Sequence, residues 1–63
     1  MIYFVKLWFE GEAAPRRIIR REVVPMVGDR LLVFDESIAL AVKERIWDEN
    51  KSEVVTLLLG QEA

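Results

Sequence analysis

The sequence contains neither cysteine nor histidine. Without cysteine there is no disulfide to staple a small fold and no thiolate to hold a metal. Without histidine the commonest metal ligand and the commonest general base are both missing. Hydroxyl side chains are few: Ser37, Ser52, Thr56 and Tyr3. A hydroxyl nucleophile needs an adjacent base, and these have no imidazole to serve them. The glycines Gly11, Gly28 and Gly60 stand apart from one another, so no glycine-rich phosphate loop is present. The adjacent carboxylates Asp35-Glu36 and Asp48-Glu49 read as solvated turn residues, because they lack the multi-ligand loop that calcium needs. The chain is expected not to be an enzyme and to carry no cofactor and no metal.

Long apolar runs are missing too. The apolar start, Met1 to Phe9, is too short to span a bilayer and carries Lys6. It also lacks the basic flank and small-residue cleavage site of a signal peptide. It reads as structure, with no membrane association, and the lack of cysteine fits a reducing cytoplasm.

What is present is a short, apolar chain of 63 residues, 52% of them hydrophobic. That is enough for a single domain over 1–63. A domain this small buries only about 60% of the surface its unfolded chain exposes. With disulfides and metals excluded, self-association becomes the natural reinforcement. The net charge of −2 is unevenly spread. Residues 1–27 hold Lys6, Arg16, Arg17, Arg20 and Arg21 against Glu10, Glu12 and Glu22, while the remainder is acidic.

Tyr3, Val5, Leu7 and Phe9 alternate with Ile2, Phe4, Lys6, Trp8 and Glu10. Period two with aromatic and β-branched residues predicts a strand, its odd set facing a core. Gly11 to Pro15 reads as a loop. Arg16 to Val24 fits a second strand, ended by Pro25. In Pro25 to Asp29, Pro and Gly bracket a tight turn and Asp29 is placed to accept from nearby backbone N–H groups. Arg30 to Phe34 is a short apolar strand and Asp35-Glu36-Ser37 a turn. Val54 to Leu59 is a strand apolar on both faces, which places it centrally or at an interface.

Ile38 to Trp47 supports two readings. Ser37 as a cap and the repeat Ile38, Val42, Ile46 suit a helix over 37–48. Alternation suits a strand in which Ile38, Leu40, Val42, Glu44 and Ile46 share a face with only Glu44 polar. The first reading gives an α+β fold of order β-β-β-α-β, the second a mostly β fold.

The block Val24-Pro25-Met26-Val27-Gly28-Asp29, then Leu31 to Phe34, then Val42-Lys43-Glu44-Arg45-Ile46-Trp47-Asp48, then Val54 to Leu59 resembles small bacteriophage and prophage proteins of uncharacterised role. The shared pattern covers residues 24–59 and consists of short, mostly structural motifs. This sequence departs from it in having Asp35-Glu36-Ser37 where a glycine-rich turn is common. The resemblance implies a small Src-homology-3-like barrel of about five antiparallel strands. It also implies that Gly28 turns the backbone into the third strand and that Trp47 covers an open barrel end or a sheet face.

Candidate binding residues follow from the strand pattern. If the odd set of the first strand is inside, Ile2, Phe4 and Trp8 project outward as an interaction patch, which Val54 and Leu58 are placed to join. The alternative is that residues 13–24 fold over this face and bury it. Arg17 and Arg21 form one face of the second strand, with Arg16 and Arg20 on the other. Basic residues near Trp8 and Tyr3 would suit single-stranded nucleic acid. However, the split cluster and a pI of about 5.0 favour charges that guard a sheet edge against aggregation. The resulting expectation is a protein-interaction or assembly domain of phage or prophage origin, acting in the bacterial host cytoplasm. Its expected partner is a protein, including a second copy of itself. Alternatives are a host-directed inhibitor such as an anti-defence protein, and a nucleic-acid-binding accessory.

Overall fold

The computed structural model describes residues 1–33 and 39–61, and in these it is built from strands. The strands are β1 (Tyr3–Phe9), β2 (Arg17–Arg21), β3 (Arg30–Leu31), β4 (Leu40–Trp47) and β5 (Val54–Gly60). They form one sheet in the order β2-β1-β5-β4-β3, curled into a half-barrel. The strand reading of β4 therefore replaces the helix alternative over 37–48. Asp35, Glu36, Ser37 and the flanking Phe34 and Ile38 lie outside the described residues. Strand three is shorter than the predicted Arg30 to Phe34.

Three of the four pairings are antiparallel, but β1 and β5 run parallel, with Val5 beside Val55 and Leu7 beside Leu57. The expectation of antiparallel strands throughout is corrected at this pair. The β4–β5 turn fixes the direction of β5, and its place between β1 and β4 pairs both rows of its backbone N–H and C=O groups. The long path from β1 to β5 supplies the crossover that parallel neighbours require.

The curl encloses one apolar cluster on the concave face. Val5, Leu7 and Phe9 of β1 meet Val55, Leu57 and Leu59 of β5, with Leu40, Val42 and Val33 closing the sides. Ile19, Leu31 and Tyr3 pack against its margin. Period two in β1 thus behaves as its pattern predicts, with odd residues inward. Among the described residues no polar side chain is buried.

Two glycine turns set the strand directions. In both, a backbone N–H reaches the carbonyl three residues back: Glu12 to Phe9 at 3.1 Å and Asp29 to Met26 at 3.0 Å. Each has glycine in the third position with positive φ, 89° at Gly11 and 98° at Gly28, the requirement of a type II turn. Asp29 Oδ2 also accepts from the Met26 N–H at 2.8 Å, the side-chain role its position suggested. The Gly28 N–H then donates to the Val42 carbonyl at 3.0 Å, and the Val42 N–H to the Asp29 carbonyl at 2.8 Å. Two residues thus oppose one, a glycine-led β-bulge that joins the turn to β4.

A second bulge reshapes β4. Val42 pairs with Leu59, but Glu44 pairs with Leu58, leaving Lys43 as the extra residue. Simple alternation would place Glu44 and Ile46 on the apolar face with Val42. The bulge exchanges the faces, so Glu44 and Ile46 point outward while Arg45 and Trp47 lie on the concave side. The anomalous polar residue is removed from the core, and the bend increases the twist that the curl needs.

Candidate partner-binding surface

Even residues of β1 face the convex side, in line with their neighbours across the sheet. Ile18, Lys6, Thr56 and Ile46 form one row through the pairs of β2, β1, β5 and β4. Arg20, Phe4 and Val54 form the next row on one side, and Trp8, Leu58 and Glu44 the row on the other. Six apolar side chains therefore ring a polar centre of Lys6 and Thr56. Phe4 is 40% exposed, Ile46 47% and Ile18 59%. Residues 13–24 do not cover this face; they contribute Ile18 to it.

The expected binding residues divide between the two sides of the sheet. Ile2 is exposed just ahead of β1, and Phe4 lies on the convex face. Trp8 is on the same face but half-buried, and its indole N–H donates to the Glu12 carbonyl at 2.7 Å. Its polar tip is committed to the β1–β2 loop, so its ring offers an edge to a partner and not a free anchor. Arg17 and Arg21 stand beside Leu7 and Tyr3 on the concave rim. They do not join Phe4 and Trp8.

Pattern reading missed Ile46, because the bulge at Lys43 carries no composition signal. It also passed over Ile18, although Ile18 has the opposite parity to the core-facing Ile19 and so could have been found.

The β1–β2 loop is braced from several directions. Arg16 N–H donates to the Leu7 carbonyl at 2.9 Å. Its guanidinium pairs with the Glu12 carboxylate and lies 4.3 Å from the centre of the Phe9 ring, a cation–π distance. At the other end of the concave face, Trp47 meets Tyr3 edge-on at 5.6 Å, with Arg45 5.5 Å from the Trp47 ring centre.

The chemistry of the described residues is sparse. No group of three or more Asp or Glu among them is placed to hold a metal ion. No helix among them is long and apolar enough to cross a membrane. Open hollows mark the surface of the described residues. One, of about 390 Å³, is lined by Phe9, Glu12, Arg16 and Leu40. A second, of about 370 Å³, lies between β2 and β3. Another, of about 350 Å³, is on the convex face beside Phe4, Ile18 and Val54. No family model, curated protein or solved structure matches the chain.

Proposed function

We propose that the chain is a non-enzymatic protein-interaction and assembly domain, of phage or prophage origin, working in the host cytoplasm. The observation that carries the interaction reading is the convex sheet face. Phe4, Ile18 and Ile46 are substantially exposed there, and Trp8, Val54 and Leu58 are only half-covered. A solvated sheet face normally presents polar residues; this mixed sheet presents apolar residues at six convex positions. Contiguous apolar surface of this kind marks an interaction site. Two such faces stack as sheets do, about 10 Å apart, and Lys6 and Glu44 supply opposite charges to orient the pair. The phage origin rests on the resemblance of residues 24–59.

The test is the oligomeric state, measured by size-exclusion chromatography with light scattering. The wild-type chain is expected to self-associate at high concentration. Phe4→Glu and Ile18→Glu should each shift it to monomer while leaving the strand spectrum intact. A wild-type chain that stays monomeric at the highest accessible concentration would remove self-assembly through this face.

A further inference from the structure

We propose that the outer edge of β2 is a docking edge for an acidic, extended segment of a partner protein, which joins the sheet as an added strand. The site lies along the sheet edge and shares with the convex face only the β2 residues Ile18 and Arg20.

Geometry supplies the opening. β2 and β3 end the sheet order, and among the described residues β2 pairs with β1 alone. Beside the edge runs the hollow of about 370 Å³, with Leu7 and Ile19 on one side and Pro25, Leu31 and Leu32 on the other. Leu32 is 75% exposed. An edge strand offers a row of backbone donors and acceptors to any incoming chain. Strand addition takes its affinity from those groups and its specificity from alternate side chains.

Charge selects the occupant. Arg16 to Arg21 reads Arg-Arg-Ile-Ile-Arg-Arg, the same in both directions. A second copy pairing here about a two-fold axis keeps each face of β2 on its own side of the sheet, so residues of the same parity oppose one another. The central registers then set Arg17 against Arg21 or Arg16 against Arg20. Like charges directly opposite are destabilising, so this edge rejects its own copy. The complementary strand, in either direction, carries two acidic, two apolar and two acidic residues. Its apolar pair lies beside Ile18 and Ile19. Its carboxylates meet Arg20 and Arg21, which are exposed. Arginine and carboxylate match as two-pronged hydrogen-bonding partners. Arg16, already held by Glu12, contributes least.

The probe is a fluorescent peptide with the core Glu-Glu-Val-Val-Glu-Glu, compared with Lys-Lys-Val-Val-Lys-Lys by anisotropy and by amide chemical-shift mapping. The acidic peptide should bind at least about tenfold more tightly, with the largest shifts at Arg17 to Arg21. Of two peptides N-methylated at alternate residues, one should lose at least about tenfold, because one set of N–H groups faces β2. The double variant Arg20→Glu/Arg21→Glu should reverse the preference toward the lysine peptide, which also shows that the variant is folded. Ile46→Glu, three strands away on β4, should leave peptide affinity unchanged. Equal binding of the two peptides, tolerance of both methylation patterns, or shifts centred on Phe4 and Ile46 would overturn the proposal.

Discussion

Replacing Leu57 by Ala tests whether burial within this one curled sheet holds the fold together. Leu57 has 0% exposure and stands between Leu7 of β1 and Arg45 of β4. The substitution removes roughly three buried carbons, about 2.4 kcal/mol at about 0.8 each. The cavity left behind brings the expected cost to about 3 kcal/mol, within the ~2–5 kcal/mol range for such changes. At roughly 0.05–0.15 kcal/mol per residue, a chain of 63 residues has a total stability of about 3–9 kcal/mol. The single change therefore removes a third or more of it. For a domain of this size about 3 kcal/mol corresponds to a fall in Tm of roughly 12–24 °C. Ile46→Ala is the control: the same strand pair, but a side chain 47% exposed, so the cost should stay below about 1 kcal/mol. Urea unfolding followed by tryptophan fluorescence, at two protein concentrations, measures both. A Leu57→Ala cost under about 1 kcal/mol, or an equal cost for Ile46→Ala, would refute the assignment of the concave cluster as the stabilising core.

Further outcomes follow from the turns and the bulge. Gly28→Ala should cost about 1–2 kcal/mol in thermal unfolding. A Cβ there meets nothing within 4 Å, so the whole loss is backbone strain, and Gly28→Asn should lose less. Trp8→Phe should cost about 1 kcal/mol and speed amide exchange in the β1–β2 loop, because the hydrogen bond to the Glu12 carbonyl is lost. Deleting Lys43 should cost less than about 1 kcal/mol, because Val42 and Glu44 already pair with the adjacent Leu59 and Leu58, so removing the extra residue leaves Val42 inward and Glu44 outward. Lys43→Ala should change stability by less than about 0.5 kcal/mol, and a deletion that costs about 2 kcal/mol or more, the mark of Glu44 forced inward, would dismiss the bulge.

Local pattern carried the strands whose register is simple. Tyr3, Val5, Leu7 and Phe9 alternate without interruption, and burial follows them. The turn at Pro25 to Asp29 was legible because Gly28 and Asp29 each have one evident local task. β4 was not legible, since its helix-forming residues compete with its alternation and its extra residue, Lys43, looks like any other solvated lysine. The parallel union of β1 with β5 was beyond reach, because strand order depends on contacts between residues distant in sequence. On the surface, Phe4 was readable from parity alone. The loss of Trp8 as a free anchor depends on a loop carbonyl whose position no side-chain pattern reveals. Arg17 and Arg21 share a face as expected, but only the sheet order shows that this face is opposite that of Phe4.

The central place of β5 has a consequence for how the domain is made. β5 follows the other four strands in chain order, yet it is the strip that joins β1 to β4. Before β5 is in place, the β1–β2 hairpin and the β3–β4 pair are separate halves. They become one sheet only when Val54 to Gly60 slots between them. Such distant pairings are slow to form, so a chain truncated after the Asp48 to Glu53 loop should be open to proteases and to chaperones, and adding the next seven residues should close it in one cooperative step.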